Sequence, residues 1–518
     1  MSARKRARSP KLTKKAKKAA KKSLRGKKKR TNKNRPRKSK AARVESNGQT
    51  LFKLREWLLP SGIFAGVNLH GNITWSPVDL VWLVLCWGWE ESKNVTDAFD
   101  EAKDQCQQLG IVVVDSYQGM MKVLVRYSAP LLIVLWSRLH QLMQEIGGEH
   151  WQIEGWVPIA FDGSRSSAPR TESNEQALCA PNYGKGATAK YRKKKTKGMR
   201  RKKNEKNKPQ PQQPQAWITM MWHMGLRLPW TWRLGPSNSS ERAHVEEMLK
   251  DGDFPENTLF CGDAGFVGYP LWSQIIGRGH HFLVRVGANV SLLQKSTTIR
   301  RNGNRVLCWP KDAQSKKLPP LELRLIKVKV GKTKMWMLTS VLDSSRLPKA
   351  LIARFYQLRW GIEVEFRGLK QTLDRAKLRC RNHKRLLAEL DWSILAMAVA
   401  ELFALKEQLA PPPRENQDTA SKNRDAPPAD PWKRSLAETI RALRHCLRRP
   451  NRTPAPGEDL TTRLRNAVTD SYQRKSSKKA RYRPPNPDKK PLGDPKLRKL
   501  NDQEKKKLNA LKTQKAAA

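Results

Sequence analysis

The sequence predicts a mixed α/β protein with a helical N-terminal region and long basic tails. Three observations carry this. Residues 47–150 hold apolar residues at helical spacing. Further on, short apolar runs bounded by turn residues, "WVPIAFDGS" and "TLFCGDAGF" among them, alternate with helical stretches. Lys, Arg and Pro dominate both ends and one internal stretch.

The 518 residues leave room for two or three domains. The formal net charge of +57 points to a polyanionic partner, nucleic acid before an acidic membrane surface. The seven cysteines form no CxxC pair and no Cys/His cluster with zinc spacing, so reduced thiols in a cytoplasmic compartment are expected. No apolar stretch follows the charged start, so no signal peptide is expected. The most apolar runs, Val78–Trp87 and Ser393–Leu405, are too short to span a bilayer and read as buried helices.

Residues 1–43 carry 22 Lys/Arg and no acidic residue, and 1–46 reads as a disordered basic arm. In the helical region 47–150, expected to bind DNA, the candidate helices are Leu51–Leu59, Pro77–Trp87, Val95–Leu109 and Ser116–Ile146, the last kinked at Pro130. A second region, 151–408, opens on a strand at 156–164 that ends in a turn. It is interrupted at 185–215 by a basic polar insertion that cannot build a core. A hairpin turning near Gly225, a Ser-capped helix at "SSERAHVEEML", the strand "TLFCGDAGF" and a helix at "YPLWSQIIGRG" follow. Then come the strand "HHFLVRVGANV" and strand-like runs in 291–346. One long helix is expected from Leu347 past Leu373, and another over about 385–409. Residues 409–518 read as a Pro/Lys-rich, mostly disordered tail with a short helix near 432–448.

Within the long helix, "FYQLRWGIEVEFRGLK" (355–370) sorts into two stripes at about 100° per residue. Phe355, Leu358, Ile362, Phe366, Leu369 and Leu373 fall together as a core stripe. Tyr356, Arg359, Glu363 and Lys370 lie beside it, with Trp360 at the edge. Arg359 and Glu363 also have the i,i+4 spacing of an ordinary exposed ion pair, and on helix geometry alone this stripe reads as a solvated face. Asp162 and Asp263 shift the balance. Each closes an apolar run and precedes a Gly-containing turn, so one sheet edge could bring the two together, and a helical Glu363 could complete the cluster. Three carboxylates in one small space need cations, and hard divalent ions with oxygen ligands supply them.

The motifs resemble those of the DDE transposases of bacterial insertion sequences, in the group with a Tyr-Arg-Glu-Lys signature. Tyr356, Arg359, Glu363 and Lys370 match its gaps; "FDGS" resembles the first-Asp motif at Asp162 and "DAGF" the second at Asp263. The resemblance covers roughly residues 50–408. It implies an RNase H-like core with a β-insertion at 291–346. It implies catalytic and metal-holding roles for Asp162, Asp263 and Glu363, two Mg²⁺ ions with Mn²⁺ as a substitute, and DNA contacts from Tyr356, Arg359, Lys370 and Trp360. It implies double-stranded DNA, at element ends and target, as the partner of a homodimer in a synaptic complex, working in the bacterial cytoplasm at the nucleoid without a membrane. A nuclease that cuts without joining, or a non-catalytic DNA-binding derivative, is the alternative.

Trp217, Trp222, Trp230 and Trp232 read as packing residues. His223, His244, His280 and His281 lack metal spacing and read as structural.

Overall fold

The computed structural model describes residues 45–70, 73, 75–178, 213–294, 303–331, 333–411, 430–455, 457–469 and 492–517. Nearly all of the arm expected at 1–46 and of the insertion expected at 185–215 lies outside these residues.

Four helices come first: α1 (Asn47–Leu58), α2 (Pro77–Trp89), α3 (Val95–Gln108) and α4 (Tyr117–Gly147). Side chains of Ser46, Ser76, Asn94 and Ser116 accept the orphan N–H groups at their starts. Helix α4 runs through Pro130 as one helix. With the residues after it, Tyr117–His150 has the length and apolar composition to cross a bilayer, which the sequence reading did not single out. One face of it, with Leu124, Leu131, Leu135 and Leu142, is buried in the protein core.

A ten-stranded sheet follows, in the order β10-β6-β7-β8-β9-β5-β4-β1-β2-β3. Third from one edge is β1 (Val157–Ser167), flanked by antiparallel β2 (Gln215–His223) and parallel β4 (Thr258–Gly262). Strand β3 (Leu228–Pro236) closes the expected hairpin with β2, and β5 (His281–Val286) runs parallel to β4. Strands β6 (Ser291–Gln294), β7 (Asn304–Cys308), β8 (Leu321–Val330) and β9 (Thr333–Thr339) extend the sheet through an antiparallel β5–β9 pair. Between the strands lie α5 (Glu172–Leu178), α6 (Glu241–Asp251, capped by Ser240), α7 (Tyr269–Gly277) and α8 (Lys311–Ser315).

Strand β1 corrects one expectation. It does not turn at Asp162-Gly163 but continues five residues further, with Asp162 opposite Met220 and Gly163 opposite Thr219. The β2 partner supplies backbone hydrogen bonds all along this stretch, so nothing forces a turn.

The long helix is also not continuous. It divides into α9 (Lys349–Leu358), α10 (Gly361–Arg367) and a π-helical turn, Gly368–Thr372. Two glycines explain the breaks. A Cβ at Gly361 would overlap the ring of buried Trp222 on β2, and one at Gly368 would lie 2.7 Å from Leu436 Cδ2. The glycines admit close neighbours and weaken the helix where they sit. The core stripe nevertheless holds: Phe355, Ile362, Phe366, Leu369 and Leu373 are buried and Leu358 is half-buried.

Helix α11 (His383–Leu409) is buried almost all round, as is α2. They approach at Gly88, whose missing Cβ leaves room for Ala396, and Trp89 Nε1 donates to the Ala396 carbonyl at 2.7 Å. The six described cysteines are free and buried.

The C-terminal region holds more structure than the single expected helix. Besides α12 (Leu436–Leu447) it contributes α13 (Leu460–Arg465), β10 (Lys496–Lys499) and α14 (Asp502–Ala517). Trp432, expected to open the helix, instead sits in a 3₁₀ turn and donates from Nε1 to the Gly225 carbonyl at 2.9 Å. Strand β10 pairs in parallel with β6 and covers that edge. Truncation after residue 491 should therefore speed amide exchange in Ser291–Gln294 and leave β1 and β4 protected; unchanged exchange at 291–294 would show that β10 contributes nothing to the sheet.

Candidate active site

Strands β1 and β4 pair in parallel with Val157 opposite Thr258 and Ala160 opposite Cys261. The same offset, carried two residues on, sets Asp162 level with Asp263. Side chains level with each other on neighbouring parallel strands leave the same face of the sheet. Gly262, just before Asp263, has a reason too: a Cβ there would overlap the Phe161 ring.

Local N–H groups orient both carboxylates. Gly163 N–H donates to Asp162 Oδ1 at 2.8 Å and Gly265 N–H donates to Asp263 Oδ1 at 2.7 Å. The turn expected after Asp263 is present; the one after Asp162 is not.

Helix α10 brings Glu363 to the same place. Arg359 lies between: Nη1 donates to Asp162 Oδ2 and Nη2 to Glu363 Oε1, both at 3.3 Å. Its side chain is 3% exposed, against 20% for Asp162 and 39% for Glu363. The i,i+4 pair with Glu363 is real, but it is half of a bridge to the sheet, and its cation is buried. The guanidinium also lies 5.4 Å from the ring centres of Tyr356 and Trp360.

The other stripe residues divide by exposure. Tyr356 is buried, while Trp360 is 52% exposed. Lys370, half-buried on the π turn, donates from Nζ to Ser164 Oγ at 2.6 Å. Ser164 is two residues from Asp162 and shares its face of β1. The π turn thus aims Lys370 at the carboxylate site, a placement common for such turns. Burial lowers its ammonium pKa.

Sequence reading missed a fourth carboxylate. Glu241, the first residue of α6, packs on Gly163: a Cβ at 163 would run into its carboxylate, and one at 265 would lie 4.0 Å from its Oε2. Burial, then the charges of Asp162 and Asp263, push its pKa up to about 7, with Arg165 opposing. Burial is also the main cause raising Asp162, with Asp263 and Glu363 adding to it against the Gly163 N–H and Arg359. The signal was faint, because an acid after a Ser cap is ordinary helix-start chemistry. Only the glycines at 163 and 265 hinted that something must come close.

The donor set suits a hard divalent cation, since it is all carboxylate oxygen and carries more negative charge than one arginine neutralises. Even so, no group of three metal-ligating side chains is drawn tightly together among the described residues. Repulsion between the carboxylates, with Arg359 wedged between two of them, accounts for the spread. The histidines expected to be structural are so placed: His223 is buried and accepts from Leu226 N–H, and His244 Nδ1 meets Thr219 Oγ1 at 2.9 Å. Trp222, Trp230 and Trp232 are buried as expected, and Trp217 stacks under Arg165 at 4.0 Å.

Residues 158–399 match the family model described as "Transposase DDE domain". Over 172 residues the chain is also 30% identical to transposase InsG for insertion sequence element IS4 of Escherichia coli (strain K12). That stretch is 31% of this chain and 37% of the relative's length. A cryo-EM structure of the piggyBac transposase synaptic complex with hairpin DNA aligns over 85% of this chain and 88% of its own, at 11% identity and a TM-score of 0.35, too low to bear on the fold.

Two outcomes are expected. Gly361→Ala should push α10 off Trp222 and move Glu363, so DNA cleavage should fall at least ~10-fold while the fold and DNA binding persist, a 1 Å misplacement being enough for such a loss. Full activity would mean that this contact does not position Glu363. Glu241→Gln should raise the melting temperature of the metal-free protein by roughly 1–2 °C, by relieving repulsion, and should shrink the further rise produced by Mn²⁺. An unchanged Mn²⁺ effect, read by scanning fluorimetry, would place Glu241 outside the cation site.

Proposed function

We propose that the chain is an insertion-sequence transposase that cuts DNA at the terminal inverted repeats of its element and joins the freed 3′ ends to target DNA. The observation that carries the reading is the level placement of Asp162 and Asp263 on adjacent parallel strands, with Glu363 joined to Asp162 through Arg359, inside the stretch that matches the transposase domain. The core β3-β2-β1-β4-β5, an antiparallel meander followed by two parallel strands, supports an RNase H-like assignment.

Asp162, Asp263 and Glu363 would hold divalent cations, with Glu241 beside them. Two Mg²⁺ ions, replaceable by Mn²⁺, would supply charge stabilisation for the attacking and leaving oxygens of a phosphodiester. The rest falls to side chains. Gly163 and Gly265 N–H groups fix the aspartates. Arg359 stands in as counter-charge for Asp162 and Glu363, and it is the group that must turn if it is to grip a backbone phosphate. Tyr356 supports it from beneath. Lys370 lies close enough to Asp162 to hold the phosphate next to the cut, and exposed Trp360 offers a face on which an unpaired base can stack. The helices of 47–150 and the basic arm would add DNA contacts, two copies would pair in a synaptic complex, and the work would take place at the nucleoid in the cytoplasm.

Asp162→Asn, Asp263→Asn and Glu363→Gln should each reduce Mg²⁺-dependent cleavage of a terminal-repeat duplex by at least ~10³-fold with DNA affinity within a few-fold, since each removes a charged oxygen ligand at nearly constant volume. Chelation by EDTA should do the same to the unaltered protein. Retained cleavage in any one variant would remove that residue from the assignment. Cleavage without joining of 3′ ends would favour a nuclease.

A further inference from the structure

The C-terminal region builds a second feature that the carboxylate site does not use. A cleft of about 1070 Å³ opens between α12 and α13, and its floor includes Gln371 and Thr372 of the π turn. On α12 and its C-cap, Arg441, Arg444, His445 and the cap residue Arg448 recur at helical spacing and line it, while Ile440, Leu443 and Leu447 are buried. Arg449 and Arg463 complete the basic lining.

The lining is wrong for a small apolar ligand. Its apolar side chains are alanines, whereas ligand pockets are lined mostly by larger apolar and aromatic groups. Five arginines face three glutamates, Glu91, Glu438 and Glu458. The pairs they form are mostly loose or exposed: Arg441 with Glu438, Arg463 with Glu458 at 4.0 Å, Arg444 and Arg448 with Glu91 at 3.8 and 3.9 Å, and half-exposed Arg448 also with buried Glu90 at 3.7 Å. Such pairs contribute little and give way to a stronger anion. The Arg449 guanidinium has no ion-pair partner among the described residues. His445 senses the balance: burial lowers its pKa, and Arg463, Arg449 and Arg452 add to the drop against Glu458. The field in the cleft is positive, and guanidinium forks match phosphate geometry.

Position identifies the occupant. Gln371 and Thr372 directly follow Lys370, whose ammonium reaches Ser164 beside Asp162. We infer that the cleft is a channel for the backbone phosphates of the DNA strand that runs on from the carboxylate site, gripped by Arg441, Arg448 and Arg449. The identity of that strand rests on the proposed function; the phosphate chemistry of the cleft does not.

The test uses the full chain and a terminal-repeat duplex. In a Cys179→Ser background, Asn466→Cys places a thiol on the cleft wall, and the other cysteines are buried. Coupled to an aryl azide, it should photo-crosslink to the duplex, and excess unlabelled duplex should compete. Crosslinks to added RNA or to protein but not to DNA, or no crosslink at all, would overturn the inference. Arg441→Gln with Arg449→Gln should lower the slope of log affinity against log salt by about two units, roughly 0.9 for each phosphate no longer neutralised. An unchanged slope would overturn the inference whatever the crosslink shows. Asp162→Asn keeps the two readings apart. If it abolishes cleavage while the crosslink is absent, the cleft falls and the transposase reading stands. If it cleaves normally while the crosslink forms, the reverse holds.

Discussion

The guanidinium of Arg359 is buried between a sheet carboxylate and a helix carboxylate, and the geometry of the site depends on it. A charge this deep costs several kcal/mol of desolvation unless it is paired on both sides. Asp162 and Glu363 supply the pairing, and in doing so they fix α10 against β1. A lysine would have to reach both carboxylates from one nitrogen, whereas the arginine fork reaches them from two, Nη1 and Nη2. The same arrangement leaves Asp263 and Glu241 without a neutralising partner of comparable strength, so the site keeps an appetite for cations.

Close approach in this molecule is bought with glycine. Gly361 lets Trp222 touch the start of α10, Gly262 makes room for Phe161 beneath the two aspartates, and Gly163 receives Glu241. In each case the backbone has no side chain because a neighbour from a distant part of the sequence occupies its place. The π turn at Gly368–Thr372 belongs to the same design: it rotates Lys370 toward Ser164 and presents Gln371 and Thr372 to the basic cleft.

Much of this was legible in the sequence, and the limits have physical causes. "VPIAFD" and "TLFCGD" are runs of equal length that end in aspartate, so a parallel pair in register must set the aspartates level. The core stripe of 355–373 survived two helix breaks because neither shifts the apolar face far. The breaks themselves were hidden, since the cause of one is Trp222, more than a hundred residues away. Strand β1 was cut short because Asp-Gly is a turn signal only where no partner strand continues the ladder. Strand β10, "KLRK", carries no apolar alternation; it exists because β6 presents an open edge. Glu241 could not be read because its meaning lies in what α6 covers.

Anomalous diffraction from crystals of the metal-free protein soaked in Mn²⁺ tests the account most directly. The expected result is anomalous density held by Asp162 and Asp263, with the Arg359 guanidinium moved off at least one of its two carboxylates. Mn²⁺ bound elsewhere at millimolar concentration, with Arg359 still bridging Asp162 and Glu363, would contradict it.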